Sequence, residues 1–483
     1  MSLPDEGSII DGFRLGPRIH AGAMATIHRV DYADGRPPPF PMLMKIPKLA
    51  PGEGSENIVG FEIEHQMLQC LDGSHVPRFV AAGDLSSLPY LVIEYLAGQT
   101  LERWIEDRRA ERKPIGIDEI AHTGALAAQA LQRLHQQKVC HLDLKPANLM
   151  RVSDDRIALL DFGLSCHADL PDLLAEEMRP AVGSPAWIAP EQVVGTRGDP
   201  RSDLFALGVI LYEMATGELP FGAPTTRGGL RQRLWMEPVP PRLLRPDLPP
   251  WLQEAILRCL EPYAEDRYAS AAVLAFDLRH PEQIRIGERG ERTRKTGFGK
   301  LLRRWLRAAG REYQPSPLPA EQQANRAPIV MVAIPNHDVT DETLYTLRRA
   351  TARSLGTRPG ARLAVVTVIK PSAFSDDEPS RSETTLHRRH LASLQRWAQG
   401  LDLSDHQMSC HVLQGSDVAQ VLLDYASGND VDLIVMGAAT HGLSTQRFIA
   451  TVPIRVAMHA PCTVILVKEP EPFSQLRADD HLE

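Results

Sequence analysis

Asp143, Lys145 and Asn148 lie within one short stretch, HLDLKPANLM (His141–Met150). Two apolar runs follow, Leu149–Val152 and Ile157–Leu160, separated by Ser153-Asp154-Asp155-Arg156. A polar turn between apolar runs predicts a β-hairpin. Closing that hairpin brings Asn148, just before its first strand, beside Asp161, just after its second. Three oxygen-bearing side chains and one ammonium then converge at one end of the hairpin. Carboxylate and amide oxygens suit Mg²⁺, a hard cation that keeps phosphates among its partners. An Ala/Leu/Gln-rich stretch, 125–138, leads into the loop and is weakly helical.

The chain that must position these groups has 483 residues, room for two to four domains at roughly 100–200 residues each. With 43% apolar and 24% charged residues it can bury cores, which excludes wholesale disorder. Its six cysteines (Cys70, Cys140, Cys166, Cys259, Cys410, Cys462) are scattered without a C-x-x-C pair. That pattern argues against a disulfide scaffold or a zinc knuckle and fits a reducing cytosol, so the expected location is cytoplasmic. The opening MSLPDEGSIIDGF has no basic region followed by an apolar one, unlike a signal peptide. No apolar run approaches the ~18–20 residues needed to span a bilayer. The net charge of −8 argues against bulk nucleic-acid binding.

That net charge conceals a step. Residues 285–311 hold ten Lys/Arg and two Glu, a local +8, so the remainder carries −16. The proline-rich, polar EYQPSPLPAEQQANRAP follows and reads as an extended spacer. The expected organisation is a front block over 1–281, a linker over 282–327, a rear block over 328–468 and an acidic tail over 469–483. Within the linker, Phe298, Leu301, Leu302, Trp305 and Leu306 recur at helical spacing, with Lys300, Arg303, Arg304 and Arg307 on other faces. This is a basic amphipathic helix, suited to an anionic membrane surface or a partner groove. Packing of its apolar stripe on one of the blocks is the plainer expectation.

With Asp161-Phe162-Gly163 after the hairpin, the front block resembles a eukaryotic-like, bacterial Ser/Thr protein kinase, from about residue 12 to 280. The resemblance implies a bilobal α+β kinase fold, with an N-lobe over about 12–95 and a C-lobe over 96–281. It implies ATP as phosphoryl donor with Mg²⁺ or Mn²⁺, and protein substrates. By the same resemblance Lys45 in MLMKIPK holds the α/β-phosphates and Glu64 in FEIEHQML pairs with it. Asp143 is the catalytic base, Lys145 sits by the transferred phosphoryl group, and Asn148 and Asp161 are the metal ligands. Gly22 belongs to the glycine-rich loop. Ile27 and Leu43 would cover the adenine, Met150 would underlie it, and the hinge Glu94-Tyr95-Leu96 would hydrogen-bond it. Glu191 of Ala189-Pro190-Glu191, Arg267 and Asp203 are implied to be architectural, and His141 reads as a packed core histidine.

Three departures bear on mechanism. The glycine-rich loop, His20-Ala21-Gly22-Ala23-Met24-Ala25-Thr26-Ile27, keeps only the middle glycine of the family pattern. Leu142 stands where the family has an arginine that meets a phosphorylated activation loop, and no Ser or Thr lies between Ser165 and Ser184. Activity is therefore expected not to depend on phosphorylation of that loop. Ser184 stands where Ser/Thr kinases carry a threonine, which points to Ser/Thr acceptors.

In the rear block, apolar β-branched runs at 328–334, 362–369, 407–413, 431–436 and 462–467 alternate with helical patterns at 340–355, 380–399, 417–427 and 444–459. Alternating elements with buried strands predict a five-stranded parallel α/β domain. The block is similar to a universal stress protein domain over about 327–468. That family's nucleotide motif falls on Gly437, Thr440, Ala450 and Thr451, and its acidic residue on Pro335, so nucleotide binding is not expected here. A regulatory module or a homodimer contact is the favoured reading, with a sensor for a stress-linked ligand as the alternative. For the whole chain, a protein Ser/Thr kinase is weighed against a pseudokinase scaffold and a small-molecule kinase on the same fold.

Overall fold

A computed structural model describes residues 4–22, 25–48, 56–84, 88–177, 183–295, 297–310, 328–336, 340–370, 379–438 and 451–468. The expected acidic tail, and Ala23, Met24, Thr440 and Ala450, lie outside them. The chain divides into two compact units. The first comprises Met1–Lys48, Asn57–Leu170 and Arg179–Gln323; the second comprises Leu49–Glu56, Pro171–Met178 and Ala324–Glu483.

Unit one begins with an antiparallel sheet of β1 (Ile9–Ile10), β2 (Phe13–Ala21), β3 (Ala25–Tyr32), β4 (Met42–Pro47), β5 (Phe79–Ala82) and β6 (Leu91–Glu94). Its order is β1-β2-β3-β4-β6-β5. Alternation on β4 decides which side does what. Met42, Met44 and Ile46 point into a core with Leu15, Val30, Tyr90 and Val92, leaving Leu43 and Lys45 on the opposite face. Helix α1 (Glu56–Cys70) buries Ile58, Phe61, Ile63 and Met67.

The helical part of unit one is built around α2 (Leu101–Ala110), α3 (Ile117–Gln136), a short α5 (Pro190–Val193), α6 (Arg201–Thr216), α7 (Pro250–Cys259) and α8 (Ala271–Arg279); a one-turn α4 (Leu173–Glu176) lies in unit two. The helix leading to the catalytic-type loop starts at Ile117, not 125. Gly116 caps it, and Asp118 and Glu119 in its first turn face the positive end of the helix dipole. Helix α6 is apolar nearly all round, and is buried from Ser202 to Ala215. Gly208 allows its close approach to α7, since a Cβ there would meet Cys259 Cβ at 2.5 Å. Gly217 ends it in the left-handed region (φ 77°) and donates to Glu213 O. The expected hairpin forms as β9 (Leu149–Ser153) and β10 (Arg156–Leu159), so its turn tightens to Asp154-Asp155; β7 (Gln99–Thr100) flanks it. β8 (Val139–Cys140) pairs with β11 (Cys166–His167), which sets the two free cysteines Cys140 and Cys166 opposite each other.

The basic stretch is only partly a linker. Gln253 Nε2 donates to the carbonyls of Arg289, Gly290 and Arg292, and Glu254 accepts from Gly287 N, Gly290 N and Arg289 Nε. Arg289 also meets Glu261, and Arg292 and Arg304 both meet Glu237. The amphipathic helix forms as α9 (Phe298–Gly310), but its apolar stripe does not pack as expected: Leu301 is half-buried, while Leu302, Trp305 and Leu306 are exposed. Among the described residues no helix is long and apolar enough to cross a membrane.

Unit two contains a parallel sheet of β12 (Ile329–Ala333), β13 (Arg362–Ile369), β14 (Gln407–Gln414), β15 (Leu433–Gly437) and β16 (Thr463–Val467), ordered β14-β13-β12-β15-β16. The crossovers are α10 (Asp341–Gly356), α11 (Pro379–Ala398), α12 (Val418–Gly428) and α13 (Val452–His459). Met331, Val366, Ile434 and Met436 form a core with Leu422, Tyr425 and Val456. Of the helical pattern 444–459, residues 444–450 lie outside the described residues, and α13 covers its end. Thr451 is extended (φ −77°, ψ 148°) and Pro453 occupies the first turn, so the helix starts at Val452.

One ion pair fixes the helical core of unit one. Arg267 Nη1 and Nη2 donate to Glu191 Oε1 and Oε2 at 2.7 and 2.8 Å, and Ser202 Oγ donates to Oε1 at 2.6 Å. Burial pushes the Glu191 carboxyl up, but Arg267 and these donors outweigh it and hold it below the ordinary range. Its contribution is therefore complete above the unfolded value of about 4.3 and is lost as pH falls through the lower folded value. Glu191→Gln leaves Arg267 buried and unpaired, at a cost of about 3–5 kcal/mol. Thermal melts of the variant should lie roughly 5–15 °C below wild type at pH 7, and the gap should shrink below about pH 4.

Candidate active site

The loop His141–Asn148 takes its shape from Asp203 at the start of α6. The Asp203 carboxylate is 1% exposed and accepts three hydrogen bonds: His141 N at 2.9 Å, Leu142 N at 2.8 Å and His135 Nε2 at 2.8 Å. Burial raises its pKa, but these donors and the nearby His135 and His141 rings bring it below the ordinary value. The clamp holds Leu142 at φ 61°, a conformation that a bulky residue rarely adopts. Gln192 Nε2 secures the same residue by donating to Leu142 O at 2.8 Å. His141 is fully buried; its Nε2 lies 3.0 Å from Leu160 O and its ring packs against Phe162.

Downstream, Lys145 Nζ donates to Asp143 Oδ2 at 2.9 Å and to Ser184 Oγ at 3.1 Å. Ser184 N donates to Asp143 Oδ1 at 2.8 Å. Asn148 Nδ2 donates to Asp143 O at 2.9 Å, which turns its amide oxygen to other use. Leu160 N donates to Asn148 O at 2.9 Å, closing the hairpin base so that Asp161 follows directly. Asp161 has φ 63°, which an aspartate tolerates.

Lys45 joins this loop to the sheet. Its Nζ lies 2.6 Å from Glu64 Oε2, 2.9 Å from Glu64 Oε1 and 3.2 Å from Asp161 Oδ1. Burial alone would lower the Lys45 pKa, but the Asp161 and Glu64 carboxylates outweigh it and raise it. Burial pushes Glu64 up against the pull of Lys45, and Lys45 holds Asp161 below the carboxylate range. Gly163 brings α1 close to Asp161: a Cβ there would meet Gly60 O at 3.2 Å.

Lys45, Glu64 and Asp161 thus form one hydrogen-bonded set and Asp143, Lys145 and Asn148 another, and the bond from Leu160 N to Asn148 O holds the two at the hairpin base. Among the other expected contacts, Ile27 is the register partner of Lys45, and Leu43 shares the Lys45 face of β4. Met150 is half-buried on β9, opposite Ala158 and Thr100. Glu94 N donates to Arg78 O and Tyr95 N to Pro41 O, so both groups are committed to the protein, and the Leu96 side chain is buried. Gly22 N donates to Ala25 O. His135 and Gln192 were not singled out in the sequence, since nothing in their spacing distinguishes them from ordinary helix-surface residues. The donor set fits a hard cation: the Asp161 carboxylate is 41% exposed, and the Leu160 N–Asn148 O bond sets Asn148 across the hairpin base from it. The described residues contain no cluster of three or more His, Cys, Asp or Glu suited to a metal. An ion here would draw its remaining oxygens from phosphate and water.

Residues 45–277 match the protein kinase domain family, and residues 329–468 match the universal stress protein family. A probable serine/threonine-protein kinase of Clostridium acetobutylicum is 31% identical over 242 residues, 50% of this chain and 36% of that protein. Serine/threonine-protein kinase Pkn1 of Myxococcus xanthus is 34% identical over 223 residues, 44% of this chain and 31% of its own length. PknB of Mycobacterium tuberculosis is 32% identical over 213 residues, 43% of this chain and 33% of that protein. The chain spans about a third of the length of these curated relatives. Crystal structures of the Mycobacterium tuberculosis PknI kinase domain align over 58% of this chain and 99% of theirs, at 22% identity and a TM-score of 0.45.

The Asp203 clamp can be tested directly. Asp203→Asn turns an amide NH₂ toward one of three donors, and should cost about 2–3 kcal/mol. Hydrogen exchange should show faster exchange at the Leu142 amide than in wild type, and an unchanged rate there would refute the clamp. The two matches together assign the chain: it joins a protein kinase family domain to a universal stress protein family domain.

Proposed function

We propose that the chain is an ATP-dependent protein kinase acting on Ser or Thr hydroxyls. The observation that carries this reading is a pair of hydrogen-bonded sets, Glu64–Lys45–Asp161 and Lys145–Asp143–Asn148, brought together where Leu160 N donates to Asn148 O at the hairpin base. Lys45, kept charged by two carboxylates, would hold the donor's phosphates. Asn148 and Asp161 would hold Mg²⁺, which when bound neutralises phosphate charge. Asp143 is oriented by Ser184 N and Lys145, and would take the proton of the acceptor hydroxyl. Lys145 would balance charge developing beside it. Ile27, Leu43 and Met150 offer apolar surface for the adenine, with Glu94 and Leu96 backbone groups at its edge. A cytoplasmic setting fits the ATP requirement and the six free cysteines. A pseudokinase has no physical need for this complete set.

Activation by loop phosphorylation is disfavoured on geometric grounds. Ser165 is 2% exposed and donates to His141 O at 3.1 Å, while Ser184 Oγ is engaged by Lys145. Phosphatase-treated protein should therefore keep its activity.

With ATP, Mg²⁺ and a generic protein acceptor, phosphoryl transfer should fall about 10²–10⁴-fold in Asp143→Asn. Lys45→Met should lose activity on a similar scale. A wild-type rate equal to that of Asp143→Asn across all acceptors would remove the kinase reading.

A further inference from the structure

Unit two holds a carboxylate in a closed polar pocket. Glu176, at the end of the one-turn helix α4 (Leu173–Glu176), is 5% exposed. Its Oε2 accepts from His411 Nε2 at 2.7 Å, from Ser409 Oγ at 2.9 Å and from Tyr425 OH at 3.1 Å. Its Oε1 is ion-paired with Arg362. Its backbone carbonyl accepts from Asn429 Nδ2 at 3.0 Å. Leu173 and Leu174 are buried beside it.

Strand geometry builds the pocket. Arg362 opposes Gln407 on β14, and Ala364 opposes Ser409, so Arg362, Ser409 and His411 share one sheet face. Tyr425 is contributed by α12, and Asn429 caps that helix. Ser409, His411, Tyr425 and Asn429 are all buried. Left empty, such a set would strand several polar groups and a guanidinium away from water, which is costly. Filled by the Glu176 carboxylate, Arg362, Ser409, His411 and Tyr425 each gain a partner. A four-residue helix has no stability of its own, so its order must come from this seat.

The seated segment, residues 171–177, falls in the chain between Asp161 and Ser184, and the latter touches Asp143 and Lys145. It contains no Ser or Thr. In kinases, such segments are commonly ordered by an arginine–phosphate pair.

We infer that the universal stress protein domain carries a carboxylate-recognition pocket for this chain's own segment 171–177, and that Glu176 with Arg362 orders it in place of a phosphate–arginine pair, supporting phosphoryl transfer. The inference rests on the kinase reading above. The fully formed Lys45–Glu64 and Lys145–Asp143 contacts accompany the seated segment, which assigns the seated form to the competent state.

The test uses the full chain. Hydrogen–deuterium exchange over 173–177 should be slow in wild type and at least about tenfold faster in Glu176→Gln and in Arg362→Met. Both variants should lower kcat roughly tenfold, within the 5–150-fold span of ordinary couplings, with KM for ATP unchanged. Their double variant should lose no more than either single one, since one interaction is removed. Tyr425→Phe, which deletes one hydroxyl, should give a smaller change of the same kind. Slow exchange over 329–333 serves as the check that the rear sheet stays folded. Fast exchange over 173–177 in wild type, insensitivity of that exchange to Arg362→Met, or faster exchange with unchanged kcat would each overturn the inference. The exchange arm reads the pocket without any turnover, so a failure of the kinase reading is told apart from a failure of this one.

Discussion

Three hydrogen bonds to one buried carboxylate support the rest of the candidate site. Asp203 holds the backbone of His141 and Leu142 and the ring of His135, and it does so from the first turn of the most deeply buried helix in unit one. Leu142 would not stay in the left-handed region without that clamp and the Gln192 bond to its carbonyl. Once Leu142 is fixed, the chain direction into Asp143 is fixed. Asn148 then ties back to the Asp143 carbonyl, and the hairpin delivers Asp161. The positions of the chemical groups thus follow from an anchor that takes no part in the chemistry.

What could be read from the amino acids was what depends on near neighbours. The loop, the polar turn and Asp161 lie within about twenty residues, so spacing alone implied their convergence. Strands of the rear sheet announced themselves by β-branched runs, and their parallel order by the helices between them. The start of α3 was less visible, because Gly116 and the acidic first turn look like surface loop until the helix is known. The start of α13 at Val452 turned on Thr451 and Pro453, a weak local signal beside a strong apolar one. The Glu176 pocket was not legible at all: its parts come from positions 176, 362, 409, 411, 425 and 429. Nothing local marks one glutamate among many as buried.

The basic stretch shows how charge counting along a chain misleads. A local +8 suggested a linker between two blocks. In space, Arg289, Arg292 and Arg304 are spent on Glu254, Glu261 and Glu237, which the sequence places some 30–70 residues earlier. Acidic residues of the helical lobe and cations after it neutralise one another, so the charge step marks a packed end of unit one more than a boundary. What remains outward is the apolar edge Leu302, Trp305 and Leu306.

Exposure separates the ion pairs that build this protein from those that could act. Arg267 and Glu191 are 0% and 3% exposed, with every donor and acceptor matched within the pair's own surroundings. Such a pair is closed: no incoming group can displace either partner without unfolding the helices around it. Lys45 and Asp161 are 19% and 41% exposed, and their contact is the longest in the connected group of charges around Lys45. An arriving phosphate can replace the Asp161 oxygen on Lys45, and a cation can take the Asp161 oxygen so released, without moving Glu64. The weaker, wetter contact is the one that exchange of partners requires. The same comparison places Glu176, closed on all sides, with the structural pairs, and assigns it to holding a segment and not to binding a diffusing ligand.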